Sequence, residues 1–335
     1  MRAWQVRELG EPRDVLALAE VPDPEPGPGQ VLVKIHAISL NYRDLMMVKG
    51  VYNPKLKLPR IPCSDGAGEV VAAGPGVTLW RPGDRVAGIF MQNWLDGPPS
   101  PLKVKGALGG DIDGTLAEFI VLHENGLVSF PEHMSYQEAA TLPCAAVTAW
   151  NALCSGDLKP GGTVLVQGTG GVSVFALQFA RLKGARVIGI SGSNEKLERA
   201  YDLGLDAGLN YHENPEWDRW ALEQSGEGVD LIVEVGGVGT LPRSLRALRM
   251  GGTIAQVGIL TGPDEPLPLP AILHKQARIR GIYVGSRQDF LDMNKAITLT
   301  QMRPVGEDFP WTHAPQVFAR MEEASHFGKL VMSIG

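Results

Sequence analysis

A glycine-rich turn is the part of this sequence with the clearest chemistry. An apolar stretch, residues 163–167, leads into Gly168, Gly170 and Gly171, and a second apolar stretch, residues 174–180, follows. The first glycine permits a tight turn, and the second lets a pyrophosphate approach the backbone amides that open the following helix. A strand, turn and helix with no ligand is the alternative. The residues assigned to a phosphate site are Gly168, Gly170, Gly171 and Val172.

The turn after the next strand indicates which dinucleotide binds. An acidic residue about 20 residues beyond the glycine turn binds the ribose diol of NAD in such sheets. Here that position is Ser191, and the turn continues with the hydroxyl of Ser193. A neutral turn does not repel a 2′-phosphate and Lys196 supplies positive charge, so NADPH is favoured over NADH. A solvated helix lysine is the alternative for Lys196, and the neighbouring Glu195 slightly weakens the case.

Further cofactor contacts are expected where later strands end, because a doubly wound sheet binds its ligand at the carboxyl ends of its strands. Arg287 is a candidate partner for the pyrophosphate or the 2′-phosphate, with an exposed arginine as the alternative, and Lys329 is similar in kind. Tyr211 ends a strand that would place it beside the adenine ribose. The positions concerned are Tyr211, Val235, Gly258, Ile259, Leu260, Ser286 and Arg287.

Two kinds of element must position these residues. The first third of the chain is β-rich, with short strands separated by Gly and Pro, at residues 30–38, 68–73 and 85–89. From about residue 135, helices alternate with apolar strands, which predicts an α/β fold with a doubly wound parallel sheet. Its strands are expected at residues 186–190, 207–210, 229–235, 253–257 and 278–283. A helix at 289–299 and a strand at 328–334 follow, and residues 91–114 are the expected long loop.

Composition excludes several classes of function. The chain has 335 residues, of which 44% are hydrophobic and 20% charged, and its net charge is −6. This charge gives no general attraction to nucleic acid or to an anionic membrane, so a small-molecule substrate is expected. Three scattered cysteines suit a reducing compartment, and no signal peptide or membrane span is evident. We therefore expect a cytoplasmic protein.

The order of several short motifs resembles the medium-chain dehydrogenase/reductase superfamily, in its zinc-free quinone oxidoreductase branch. The resemblance covers the whole chain and rests, besides the glycine turn, on residues 40–44, 62–68, 81–86 and 142–150. It implies a GroES-like catalytic domain, residues 1–127 and 286–335, around an NADP-binding Rossmann domain, residues 128–285. It also implies a homodimer, paired through the sheet edge near residues 278–283, and a contact between Thr148 and the nicotinamide or its phosphates.

The resemblance also predicts that no metal is bound. Zinc alcohol dehydrogenases place Cys, His and Cys at the positions that Asn41, Ser64 and Cys144 hold here. Amide and hydroxyl oxygens are too weak as ligands for catalytic zinc, and residues 91–114 lack the cysteines of a structural zinc lobe. A site made of Asp65 and Cys144 is a weak alternative because it has no histidine.

Without a metal, hydrogen-bond donors must stabilise the negative charge that a hydride places on a substrate oxygen. Asn41 and Tyr52 are the candidate catalytic residues, since the amide can donate and the hydroxyl can also deliver a proton. Asn41 as a helix cap and Tyr52 packed on Pro54 are the alternatives. Met46 replaces a tyrosine often found in the family, which makes the pocket more apolar. An apolar setting without a histidine partner argues against Cys144 as a nucleophile.

The expected function is therefore an NADPH-dependent, zinc-independent reductase of quinones or α,β-unsaturated carbonyl compounds. Two alternatives stay open. One is an alcohol dehydrogenase or carbonyl reductase of the same superfamily. The other is a protein that binds NADPH without turnover.

Overall fold

The computed structural model describes residues 1–262 and 268–335. The strands are β1 (Arg2–Val6), β2 (Leu16–Glu20), β3 (Gln30–Leu40), β4 (Asp65–Ala73), β5 (Arg85–Gly88), β6 (Phe119–His123), β7 (Leu127–Ser129), β8 (Thr163–Gln167), β9 (Arg186–Ser191), β10 (Ala207–Asn210), β11 (Val229–Glu234), β12 (Leu248–Gln256), β13 (Arg278–Gly281), β14 (Gly306–Pro310) and β15 (Lys329–Ser333). The α-helices are α1 (Pro12–Val15), α2 (Tyr42–Val48), α3 (Tyr136–Ala140), α4 (Val147–Cys154), α5 (Gly171–Leu182), α6 (Asn194–Asp202), α7 (Trp217–Ser225), α8 (Leu241–Ala247), α9 (Leu269–Lys275), α10 (Arg287–Thr300) and α11 (Ala314–Glu322).

The described residues divide into two compact units. The first unit consists of Met1–Val147 and Gly285–Gly335, and the second of Thr148–Val284. The sequence predicted residues 128–147 in the Rossmann domain, whereas their contacts place them in the first unit. The reason is that β7 pairs with β5 and that α3 packs against β3 and β4. Pairing with a distant strand has no local signature in the sequence.

The first unit is built around an antiparallel sheet. Its described strands run in the order β14-β15-β3-β4-β5-β7, with β6 also paired to β3, and β1 and β2 form a separate two-stranded sheet. Along the first half of β3 every second residue is buried: Val31, Val33 and Ile35 enter the core. This period of two is expected of a strand with one face on a core. Residues 89–118, all of which the structure describes, contribute no strand or helix between β5 and β6.

The second unit contains a parallel sheet. Its described strands run in the order β10-β9-β8-β11-β12-β13, which is 3-2-1-4-5-6 when they are numbered within the unit. That order defines the Rossmann fold, so the predicted doubly wound sheet is confirmed. Every residue of the central strand β8 is buried, since helices cover both faces of such a sheet. In the part of the chain that is described, no helix is long and apolar enough to cross a bilayer.

Candidate functional site

The glycine turn of the second unit leaves its backbone open. Gly168 follows β8 with a φ of 71°, and Gly170 is the N-cap residue of α5. A Cβ atom added at either glycine would meet no atom within 4 Å. Ser173, three residues after Gly170, donates from Oγ to the carbonyl oxygen of Gln167 at 2.6 Å and so ties α5 to β8. The open space at these two glycines, at the N-terminus of α5, fits the pyrophosphate of a dinucleotide.

The register of β9 and β10 brings the predicted ribose residues together. Ser191 lies opposite Asn210, and the Tyr211 amide donates to the Ser191 carbonyl at 3.0 Å. Ser193 is the N-cap residue of α6 and accepts from the Lys196 amide at 3.3 Å. Lys196 therefore lies in the first turn of α6, which begins at Asn194, directly after the serine-rich turn.

His212 also belongs to this group, although no sequence motif indicates it. A Cβ atom added to Gly192 would lie 2.8 Å from both the Tyr211 hydroxyl and His212 Nε2. The two rings follow the end of β10 with centroids 4.6 Å apart. Both rings thus lie over the backbone between the two serines of the turn.

The remaining strand-end positions are held by close backbone contacts. The Leu260 amide donates to the Val235 carbonyl at 3.4 Å, and a Cβ added to Gly258 would lie 2.3 Å from that same oxygen. Gly258 is therefore required by this close approach. The side chains of Ile259 and Leu260 are each 52% exposed, and Thr148, in α4, is buried.

A buried carboxylate, which the sequence reading missed, organises this edge of the sheet. Glu234, the last residue of β11, is 0% exposed. Its Oε1 accepts from the amides of Gly236 at 2.9 Å and Gly237 at 3.1 Å, and its Oε2 accepts from Gln167 Nε2 at 2.8 Å and from Ser244. An acidic residue that ends an apolar strand just before two glycines was the available signal.

The first unit contains a second candidate site, which we call the polar cluster: Asn41, Ser64, Asp65, Cys144 and Lys329. Lys329 Nζ donates to Asn41 Oδ1 at 2.5 Å, Asn41 Nδ2 donates to Ser64 Oγ at 3.3 Å, and Ser64 Oγ donates to Asp65 Oδ1 at 2.7 Å. The Cys144 amide donates to Asp65 Oδ2 at 3.1 Å. These bonds form a continuous network around the Asn41 amide.

Local backbone features position three members of the polar cluster. Asn41 is the N-cap residue of α2, and its backbone amide donates to Asp44 Oδ2 at 2.9 Å. Cys63 has a φ of 68°, an unfavourable value for a residue with a side chain, which turns the chain just before Ser64. Cys144 lies in a π-helical turn, Leu142–Ala146, whose first amides lack partners within the helix.

Burial controls the charges in the polar cluster. It raises the pKa of Asp65 to about 6, although the charge of Lys329 acts in the opposite direction. Burial also raises the pKa of Asp44, opposed chiefly by Arg43. It raises the pKa of the Cys144 thiol, and Asp65 adds to that effect. A protonated thiol is a poor nucleophile, in agreement with the non-nucleophilic role expected for Cys144.

Tyr52 lies in the loop after α2 and is 46% exposed. The Arg43 guanidinium lies 5.8 Å from the centroid of its ring and 5.1 Å from that of Phe90. Arg43 also donates to the Leu108 carbonyl at 2.7 Å, so it links the loop to residues of the 89–118 segment. Met46 is half-buried in α2 and its carbonyl accepts from the Tyr52 amide at 3.1 Å.

Ser286 and Arg287 have structural partners within the first unit. Ser286 is the N-cap residue of α10 and accepts from the Asp289 amide at 3.1 Å. Arg287 Nε donates to the Leu127 carbonyl at 2.9 Å. Lys329, which the sequence compared with Arg287, is 3% exposed and points its ammonium at Asn41. The capping and anchoring contacts account for the residue types at positions 286 and 287.

The polar cluster does not fit a catalytic zinc ion. In the described parts of the chain, no group of three His, Cys, Asp or Glu side chains is placed to hold a metal. Asn41 and Ser64 offer weak neutral ligands, and the amide oxygen of Asn41 is already bound by the Lys329 ammonium. A cation at that oxygen repels a second cation.

The six-stranded sheet and its open glycine turn define a protein of the dinucleotide-binding class. The family "Alcohol dehydrogenase GroES-like domain" matches residues 27–132, and "Zinc-binding dehydrogenase" matches residues 171–298. The chain belongs to the medium-chain dehydrogenase/reductase superfamily, whose members are oxidoreductases that bind NAD or NADP. The predicted resemblance to this superfamily is thereby confirmed.

Individual relatives carry several activities in their names. The "Zinc-type alcohol dehydrogenase-like protein C1773.06c" of Schizosaccharomyces pombe is 44% identical over 92% of this chain and 91% of its own length. An "Acryloyl-coenzyme A reductase" of Metallosphaera sedula is 30% identical over 85% of this chain and 86% of its own length. A solved structure of an "NAD-dependent alcohol dehydrogenase" is 35% identical and covers 100% of both chains with a TM-score of 0.91.

Proposed function

We propose that this protein is an NADPH-dependent, zinc-independent reductase that transfers hydride to quinones or α,β-unsaturated carbonyl compounds. The observation that carries the proposal is the Asn41 amide, bound by an ammonium at its oxygen and by Ser64 at its nitrogen, where metal-dependent relatives hold a zinc ligand. A hydrogen-bond donor, rather than a Lewis acid, is then available to the substrate oxygen. The similarity to an acryloyl-coenzyme A reductase supports a conjugated acceptor.

The preference for NADPH rests on the turn after β9. Ser191 and Ser193 are neutral, so this turn does not repel a 2′-phosphate. Lys196 lies at the start of α6, where the helix dipole adds to its positive charge. A phosphate at this turn would meet hydroxyls, amides and an ammonium.

Two of the chain's own residues have tasks in the proposed reaction. NADPH, when bound at the glycine turn, would supply a hydride for the electron-poor carbon of the acceptor. Negative charge then develops on the carbonyl or quinone oxygen, and the Asn41 amide donates a hydrogen bond to that oxygen. Tyr52, which carries a hydroxyl in the loop after α2, is the proposed proton donor.

Oxidation of NADPH by purified protein, followed at the nicotinamide absorbance, tests the proposal. Enones and quinones should be reduced in the presence of a chelator, and elemental analysis should find no stoichiometric zinc. Asn41→Ala should lower kcat by about 10²–10³-fold, as removal of an oxyanion donor does elsewhere. Asn125→Ala, in the short 3₁₀ turn after β6, is the matched control. Flat traces across the conjugated acceptors would contradict the proposal.

An alcohol dehydrogenase is the second candidate, because two of the relatives carry that name. Stoichiometric zinc together with alcohol-dependent reduction of the oxidised cofactor would establish it. Tight NADPH binding without turnover of any acceptor would instead indicate a non-catalytic protein. The sequence feature in favour of this alternative is Met46, which replaces a tyrosine often found in the family.

A further inference from the structure

Lys329 is a buried cation in the polar cluster, and the proposed reaction does not by itself assign it a role. It is the first residue of β15 and is 3% exposed. Its ammonium donates to two neutral oxygens, the Leu40 carbonyl at 2.6 Å and Asn41 Oδ1 at 2.5 Å. Burial of an ammonium is costly unless surrounding groups stabilise it, and a contact with an amide oxygen recovers only part of that cost.

The chemistry of lysine fixes the orientation of the Asn41 amide. An ammonium has three donors and no acceptor, so the amide oxygen must face Lys329 and the NH₂ group must face Ser64. The Ser64 hydroxyl accepts from that NH₂ and donates to Asp65 Oδ1. Every bond from Lys329 to Asp65 therefore runs in one direction.

This arrangement strengthens the donor that the proposed function requires. The positively charged ammonium next to the amide oxygen draws electron density away from the amide nitrogen. Hydrogen bonds in a connected chain also polarise one another. One hydrogen of Asn41 Nδ2 is directed at Ser64, and the Asn41 side chain also hydrogen-bonds the Asp65 carboxylate, a partner that we expect the substrate oxygen to replace. The effect is large in a buried setting, where charges are weakly screened.

We propose that Lys329 is a positioning residue for Asn41: its ammonium orients the amide, polarises it and supplies the positive charge that stabilises an enolate or quinol oxygen. The inference rests on the proposed function, in which Asn41 donates to that oxygen. It assigns to a side chain of the last strand the charge that a metal ion supplies in metal-dependent enzymes.

A double-mutant cycle tests the inference. Lys329→Met keeps a long side chain without the charge and should lower kcat by about 10²-fold, with the Kd for NADPH unchanged. Asn41→Ala should lower kcat to a similar extent, and the double variant should be no slower than Asn41→Ala alone, because Lys329 acts through Asn41. Lys34→Met removes an exposed lysine from the neighbouring strand β3 and should leave kcat unchanged. Losses that multiply in the double variant, or a wild-type kcat in Lys329→Met, would overturn the inference.

A spectroscopic measurement separates this inference from the proposed function. In protein labelled with ¹⁵N-asparagine, the Asn41 side-chain resonance is the one that disappears in Asn41→Ala. It should move upfield in Lys329→Met and stay in place in Lys34→Met, since only the first change removes the charge at Oδ1. An unmoved resonance overturns the inference whether or not the enzyme turns over. Absence of turnover with a moved resonance would overturn the proposed function and leave the polarised amide established.

Discussion

At the scale of single residues, two ionisable side chains are buried among uncharged polar groups. Lys329 binds two neutral oxygens, whereas Glu234 accepts from amides, hydroxyls and a glutamine and contacts no cation through the bonds described. In both cases oriented hydrogen-bonding groups surround the buried side chain, and near Lys329 the Asp65 carboxyl also interacts with its charge. Such a charge fixes the direction of the groups around it, which an ion pair at the surface does not do.

Asp65 should make stability depend on pH. Its folded pKa of about 6 lies above the ordinary value of 3.8, so the folded state binds more protons than the unfolded state between these values. The free energy of unfolding should therefore fall by about 3 kcal/mol, through this group, as pH rises from about 4 to about 6. Urea unfolding of wild type and Asp65→Asn across this range measures the difference. Parallel curves for the two proteins would show that Asp65 does not titrate as expected.

Lys196 should determine the preference between the two cofactors. Lys196→Met should reduce kcat/KM for NADPH by about 10-fold and leave that for NADH nearly unchanged, because only the first carries the 2′-phosphate. Lys159→Met, an exposed lysine four residues before β8, is the control for a lost surface charge. An equal loss with both cofactors would place Lys196 outside the phosphate site.

At the scale of elements, the connection between β8 and α5 shows how a turn is matched to a ligand. Gly168 adopts a positive φ and has open space where a side chain would lie. We propose that this space admits the phosphate of the cofactor, because it lies at the N-terminus of α5. The same pair of properties occurs at Gly161, with a φ of 81°, before β8 begins.

This pair of glycines gives a controlled experiment. Gly168→Ala and Gly161→Ala impose similar backbone strain, so each should destabilise the protein by about 1–2 kcal/mol. Only Gly168→Ala should also weaken NADPH binding, by about 10-fold or more, because its methyl group enters the phosphate approach. Thermal unfolding and fluorescence titration with NADPH measure the two effects. Equal affinities in the two variants would remove Gly168 from the cofactor site.

The two candidate sites differ in how far the sequence predicts them. The glycine turn is local: strand, turn and helix are contiguous, so periodicity and residue type suffice to place it. The polar cluster joins residues that are far apart along the chain, because Lys329 bonds to Asn41 across 288 positions. The sequence pattern around Lys329 therefore predicts only a phosphate partner similar to Arg287. The role of Glu234 in binding distant groups has no local signal for the same reason, since two of its partners lie on strand β8 and on helix α8.

At the scale of the whole molecule, the edge of the parallel sheet is the surface of interest. Strand β13 ends the sheet in the described residues, and all of its residues are exposed. An exposed edge presents unpaired amides and carbonyls to another chain. We propose that two copies pair through this edge to form a homodimer, as the sequence predicted.

Ile279→Asp tests the proposed dimer, because it places a negative charge on β13 at a side chain that is 38% exposed. The charges of two copies would then repel each other across the paired edges, and sedimentation velocity should show the monomer of 36.0 kDa instead of a dimer. Leu299→Asp, at an 85% exposed position of α10, should leave the assembly unchanged. A wild type that sediments as a monomer would contradict the proposal directly.

The placement of Lys329 at the start of β15 has a consequence for the order of folding. Asn41 belongs to an element formed early in the chain, yet its amide is oriented by a residue of the last strand described. During synthesis, the first unit would acquire most of its sheet before β15 reaches β3. The chain would thus complete its oxyanion donor only in a late step of its assembly.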